Sequence, residues 1–131
     1  GATGLLGRQV LQAFSSQPQW VVRGLGHSRA TGDIVKCDLL DTEQLTEIFD
    51  DFDPEIVVHC AGDRSERAEK DEGWAMRVHC EAATNVAGLC GKSGALLVCV
   101  STSEVFDGAQ PAYGEDALPK PVSVFGKSKL A

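Results

Sequence analysis

The first seven residues, Gly-Ala-Thr-Gly-Leu-Leu-Gly, put glycines at positions 1, 4 and 7. Leu6, Val10 and Phe14 then recur at helical spacing, which predicts a helix from about Gly4 to Ser16. A glycine-rich turn that opens a helix normally follows a strand. The rest of the chain therefore has to supply the neighbours of such a strand.

It does so by alternating two periods. "WVVRGL" (20–25), "DIVKCDLL" (33–40), "EIVVHC" (55–60) and "ALLVCVS" (95–101) read as strands. Between the second and third of these, Asp41 caps a helix with Gln44 three residues on, and Leu45, Ile48, Phe49 and Phe52 share one face. Pro54 ends that helix. A polar loop follows, then a long helix from about Asp71 to Lys92. Residues 102–123 form a loop with three prolines, and a further helix begins at the end. Strands alternating with helices imply right-handed crossovers and a doubly wound parallel sheet with helices on both faces, an α/β fold. The near-continuous apolar strands 56–58 and 95–100 fit burial on both sides.

In a sheet of order 3-2-1-4-5 the strand before the glycine turn is central. Without it, strands 20–25 and 55–60 face a gap with unpaired backbone groups, each costing about 1–3 kcal/mol if buried. A few such groups rival a domain stability of about 5–15 kcal/mol. The expectation is a fragment, residues 1–131 being one partial dinucleotide-binding domain that lacks its first strand and its C-terminal substrate part.

At 131 residues the chain is long enough for one domain and not two, and 43% hydrophobic residues make a packed core feasible. A net charge of −7 argues against non-specific binding to nucleic acid or an anionic membrane surface. No apolar run approaches the ~20 residues of a membrane helix. Cys37, Cys60, Cys80, Cys90 and Cys99 form no Cys-x-x-Cys pair and read as buried free thiols of a reducing, cytoplasmic compartment. His27, His59 and His79 have no metal-ligand spacing, so no metal is expected.

Glycines at this spacing suit a dinucleotide-binding turn. The first permits a tight turn, the second lets backbone approach a pyrophosphate, and the third lets the helix pack on the sheet. The helix N-terminus offers free N–H groups and partial positive charge to phosphates. An acidic residue at the end of the 20–25 strand would hold a ribose 2′-hydroxyl, but 24–30 contains none. Arg29 stands there instead. It either pairs with the 2′-phosphate of NADP or is a solvated loop charge. Asp38 either accepts from adenine or serves a turn or cap at the next helix. "HCAG" (59–62) ends the 55–60 strand with small residues at the ligand-binding edge, where His59 reads as a packed strand-end histidine.

Together these residues resemble the extended short-chain dehydrogenase/reductase family, over the whole chain. The first motif is similar to the family's Thr-Gly-x-x-Gly-x-x-Gly without its leading threonine. "STSEVFDG" (101–108) resembles the Ser-(Ser/Thr)-Asp-Tyr-Val-Phe-Asp-Gly signature of dTDP-4-dehydrorhamnose reductases and their relatives. "VFGKSKLA" (124–131) resembles their Tyr-Gly-Lys-(Ser/Thr)-Lys-Leu stretch. Within that branch, "DFDPEIVVHCAGDR" (51–64) and "PAYGEDALPKPVSVFGKSKL" (111–130) fit best the regulatory beta subunits of methionine adenosyltransferase. The resemblance implies an NADP-binding subunit that modulates a catalytic partner making S-adenosylmethionine. It implies cofactor contacts from Gly1, Thr3, Gly4, Leu5, Leu6, Gly7, Arg29, Asp38, Leu39, Cys60, Ala61 and Lys129. It gives Thr102 and Lys129 the positions of the catalytic hydroxyl and lysine.

The departures bear on chemistry. Phe125 occupies the position of the family's catalytic tyrosine and has no proton to donate. Losing a general acid typically costs about 10²–10⁴ in rate. His79 stands where an asparagine is usual, Asn85 fits the later asparagine of the same helix, and Glu104 replaces the tyrosine of the signature. Site changes beside an intact binding framework favour a non-enzymatic role. The alternative is an NADPH-dependent reductase of nucleotide-linked 4-keto sugars.

Overall fold

A computed structural model describes residues 1–109 and 112–131; Gln110 and Pro111, inside the expected 102–123 loop, lie outside the described residues. Helix α1 is Leu5–Ser15, with Gly4 in extended conformation as its N-cap. After it, Phe14 meets Trp20 edge to face at 5.6 Å. Strands β1 (Leu25–Gly26) and β2 (Val35–Lys36) pair in parallel, Leu25 with Val35 and Gly26 with Lys36. The expected strand 20–25 thus contributes only its last residue, plus Gly26. Residues 20–24 have no ladder partner, because the chain opposite them is the 31–34 turn, closed by the Ile34 N–H to the Thr31 carbonyl. The expected strand 33–40 shortens to two residues for the same reason at one end and because Asp38 starts a turn at the other.

Helix α2 (Thr42–Phe52) begins as expected: the Asp41 carboxylate accepts from the Gln44 N–H at 3.0 Å. The return arm differs. Gln44 Oε1 accepts from the N–H of Asp38, at 3.1 Å, because the N–H of Asp41 already bonds the Asp38 carbonyl. Asp53, left-handed at φ 47°, ends α2 just before Pro54. Strand β3 (Ile56–His59) pairs in parallel with β4 (Leu96–Cys99) over four residues in unbroken register.

The expected polar loop after β3 contains a short helix, α3 (Glu66–Lys70), capped by Ser65. The expected long helix begins where expected, with Asp71 as its cap, but is not uniform. It runs as α4 (Glu72–Met76), a π turn (Arg77–Glu81) and α5 (Ala82–Ser93), ended by left-handed Gly94. A π turn inserts one extra residue and re-aims the side chains on it, and such turns gather at functional sites. A 3₁₀ turn (Ser103–Val105) follows β4, and α6 (Val124–Leu130) closes the chain with Ser123 as its cap.

The core lies between α2 and α5: Cys37, Leu45, Phe49, Val86 and Cys90 are buried together, with Leu25, Val57, Leu89 and Leu97 packed on them. All five cysteines are free thiols, but burial is complete only for Cys37 and Cys90, and Cys99 is exposed. The β1–β2 and β3–β4 pairs do not hydrogen-bond to each other. An apolar cleft of about 230 Å³ separates them, lined by Val21, Val22, Ile56 and Val58 and floored by Leu11 and Phe49. It occupies the place where a 3-2-1-4-5 order puts the central strand. Among the described residues no helix is long and apolar enough to cross a membrane.

Candidate functional site

The glycine turn is anchored at both ends of the gap between the two strand pairs. The Leu25 carbonyl accepts from the N–H groups of Gly1 and Ala2, at 3.0 and 2.9 Å. On the other side Gly1 lies against the end of β3: a methyl group on it would stand 2.5 Å from Ala61 N and 2.6 Å from Cys60 C. A methyl on Gly7 would reach the Gly1 carbonyl oxygen at 2.0 Å. The third glycine is therefore required by the turn's own backbone, not by the helix–sheet packing expected of it. Gly4 donates its N–H to Gly1 and, lacking a side chain, caps α1 with no side-chain acceptor. The first-turn N–H groups of Leu5, Leu6 and Gly7 are left for an external acceptor, beside the positive end of the helix. Leu5 and Leu6 flank this opening with exposed apolar side chains. Thr3 packs on Gly26, where a methyl would meet its Cγ2 at 2.9 Å.

Asp38 takes the turn role with one of its carboxylate oxygens. Oδ1 accepts from the Leu40 N–H at 3.0 Å, making the turn into α2, while Oδ2 faces His27 at 3.7 Å and is otherwise open. Leu39 is half-buried, and its carbonyl accepts from Asn85 on α5 at 2.9 Å. Arg29 is exposed and has no ion-pair partner among the described residues. So the turn, Asp38, Leu39, Cys60 and Ala61 gather at the carboxyl ends of the strands, with Arg29 on the rim.

The second half of the site is the corner where α6 meets the loops after β3 and β4. Gly126 seats α6 against the Glu104 carbonyl oxygen, which a methyl would approach to 2.1 Å. This brings Phe125 and half-buried Lys129 beside the turn begun by Thr102, whose hydroxyl accepts from the Glu104 N–H at 3.2 Å. The Phe125 ring is enclosed. The Arg64 guanidinium lies over it at 4.8 Å and His79 meets it edge to face at 5.1 Å. Glu104, at the signature's tyrosine position, pairs with Arg64 and accepts from the Ser123 hydroxyl. Glu69 accepts from the N–H groups of Val124 and Phe125, at 3.0 and 3.3 Å. Arg64, Glu69 and Ser128 lay outside the candidate residues read from the sequence. No motif announces them, because they come from separate elements.

The electrostatics keep this corner's histidines neutral. His59 is buried at the end of β3, as expected, and its Nε2 has no hydrogen-bond partner among the described residues. Burial, then the Lys129 ammonium, lowers it to about 4. His79 is also held below the usual histidine range, first by burial and then by Lys129. Burial alone would raise the Asp63 carboxyl, but hydrogen bonds from Trp74 and Ser65 outweigh it and hold it low. Asp107 sits at about 2 because it accepts from the Tyr113 hydroxyl and the Ala109 N–H and pairs with Lys120. With Phe106 stacked on Tyr113 at 4.3 Å, these bonds knit the loop before α6.

Comparison with known proteins matches this geometry. The family model described as the RmlD substrate binding domain matches residues 1–131. The chain is 40% identical over 131 residues to methionine adenosyltransferase 2 subunit beta of Danio rerio, covering 99% of this chain and 40% of that one. It is 38% identical to the subunit of the same name from Rattus norvegicus, covering 39% of it. The chain thus spans about two fifths of the length of these relatives. Among solved structures, a hypothetical dTDP-4-dehydrorhamnose reductase from Sulfolobus tokodaii superposes with a TM-score of 0.91 at 26% identity, covering 99% of this chain and 47% of that one. The dTDP-4-dehydrorhamnose reductase of Bacillus anthracis, solved in complex with NADP, superposes at 0.84 and 28% identity, over 99% of this chain and 44% of that one. These likenesses bear out the doubly wound, NAD(P)-binding type of fold and the reductase-like branch. The chain belongs to the RmlD substrate-binding-domain family.

Proposed function

We propose that this chain is the dinucleotide-binding part of a regulatory subunit of methionine adenosyltransferase, a cytoplasmic protein that binds NADP and modulates a catalytic partner making S-adenosylmethionine. The observation that carries the reading is the contrast at the two halves of the site: an intact glycine cradle beside a proton-donor position filled by Phe125. The identity to the beta subunits from fish and rat supports it. Five unpaired thiols fit a reducing compartment.

The residues fit a dinucleotide. Gly1 and Gly7 admit no side chain, and the free N–H groups of Leu5, Leu6 and Gly7 suit a pyrophosphate. Thr3, Gly4, Leu39, Cys60 and Ala61 shape the cradle, Asp38 Oδ2 is open to an adenine amino group, and Lys129 suits a ribose hydroxyl. Arg29 on the rim, with no acid in 24–30, favours the 2′-phosphate of NADP over NAD.

The second reading is an NADPH-dependent reductase of nucleotide-linked 4-keto sugars, favoured by Thr102 and Lys129 in place and by the structural likeness to such reductases. There the cofactor would supply a hydride, and the substrate oxygen would need a proton that Phe125 does not carry.

Sedimentation velocity of the full-length protein with the catalytic subunit, with and without NADP, tests the first reading. A stable complex at micromolar concentration is expected. No complex in either condition moves the assignment to the reductase. Phe125→Tyr provides a second test: it should leave sugar-nucleotide reduction at background, and near-normal reductase turnover would count against a regulatory role.

A further inference from the structure

Helix α6 is tied to the loop after β3 through one buried imidazole. His79 stands on the π turn, 2% exposed. Its Nε2 accepts from the backbone N–H of Asp63 at 2.8 Å. The ring proton must then sit on Nδ1, which donates to Ser128 Oγ at 2.7 Å. Ser128, itself 1% exposed, donates its hydroxyl hydrogen bond to the Phe125 carbonyl at 3.0 Å. One tautomer satisfies all three bonds, and Ser128 is the neighbour of Lys129 in the chain.

We propose that His79 is a positioning residue for Lys129: the neutral imidazole pins α6 against the loop after β3, and a proton added to Nε2 releases the pin and weakens dinucleotide binding. This rests on the reading above that Lys129 contacts the dinucleotide. A proton on Nε2 would point at the Asp63 N–H, leaving two donors face to face in a buried site. The charged and titratable groups around the ring are Lys129 from α6, His59 from β3 and Asp63 from the loop, with Arg64 across the Phe125 ring. Lys129 opposes a second positive charge there. The Asp63 carboxylate favours one, but its oxygens are turned to Ser65 N and Trp74 Nε1, and it is the Asp63 backbone N–H that faces Nε2. Burial and Lys129 place the release on the acid side of an ordinary histidine.

The experiment is a set of NADP titrations of the full-length protein between about pH 8 and about pH 5.5, for the wild type, His79→Gln and Ser128→Ala. Taking ratios between proteins at each pH cancels the titration of the ligand's own phosphate. Glutamine gains no proton, so the wild-type affinity should fall about tenfold further than that of His79→Gln across the range. Ser128→Ala should bind about fivefold more weakly at the alkaline end with secondary structure unchanged. Nitrogen-15 spectra of the imidazoles should show His79 as the Nδ1–H tautomer, the reverse of the form free histidine prefers. Parallel pH profiles for wild type and His79→Gln, or an Nε2–H tautomer, would overturn the proposal. Should His79→Gln not fold, Ser128→Ala and the tautomer decide. Absence of NADP binding by the wild type at the alkaline end overturns the dinucleotide reading and this one with it. Binding there with parallel profiles overturns this one alone.

Discussion

The glycine turn and the α6 corner sit at one edge of the same fold and are built on opposite principles. The turn is a backbone object. Its requirements are absences, since no side chain fits at Gly1 or Gly7, and its ligand groups are N–H bonds that every residue type carries. The corner is a side-chain object. Arg64, Glu104, His79, Ser128 and Glu69 arrive from five elements and close around Phe125 and the first turn of α6. A backbone cradle loses function when something is added. A side-chain cluster can change one member and keep its packing by exchanging partners. That difference sets a sterically closed glycine turn beside a position, Phe125, that carries no proton to donate.

The largest effect should come from adding to the cradle. Gly7→Ala places a methyl 2.0 Å from the Gly1 carbonyl. It should abolish measurable NADP binding and destabilise the fold by about 3 kcal/mol, seen in calorimetric titration and in the urea midpoint. If binding survives, the turn is not the cradle. Gly126→Ala makes the equivalent clash with Glu104 at 2.1 Å and should cost a similar amount, so the two together compare how far each half yields.

Acid should attack the corner before the turn. Unfolded His59 takes up its proton near the ordinary histidine value, about 6.5, whereas folded His59 resists until about 4. Its folded value is depressed, so stability is complete above the unfolded value and falls as pH drops from about 6.5 through about 4. The loss is on the order of 3 kcal/mol, and His59→Asn or His59→Gln should flatten that limb in urea titrations against pH. Asp107, also depressed, should keep its loop contacts until pH falls below the ordinary carboxylate value towards about 2. Proteolysis of the 105–120 loop at graded pH would locate the change.

A smaller effect separates caps from clusters. Asp41→Ala removes the acceptor for Gln44 and should cost about 1 kcal/mol with no change in NADP affinity. Arg64→Ala breaks an exposed ion pair and should cost less than about 1 kcal/mol, because packing against His79, not the charge, holds the ring. A larger loss would make the ion pair the principal closure of the corner.

The half of the site built on backbone was legible before any coordinates. Glycine spacing, the Asp41–Gln44 cap and the small residues after β3 are local signals, and each appears where its spacing put it. Strand lengths were not legible. Val21 and Val22 have the side chains of a strand, yet the parallel register begins only at Leu25, because pairing is decided by what lies alongside. The π turn escaped the reading as well, since the periodicity of 71–92 is compatible with an unbroken α-helix.

By itself the sequence determined the α/β class, the glycine cradle and the absence of a hydroxyl at Phe125, because each is a matter of local steric demand, period or residue identity. Only the tertiary structure decided which residues flank that ring, which nitrogen of His79 carries the proton and that Asp38 turns one oxygen to Leu40 and the other to His27. Those depend on distances between elements as far apart in the chain as Asp63, His79 and Ser128, and hydrogen bonds form only where the fold brings donor and acceptor to about 3 Å.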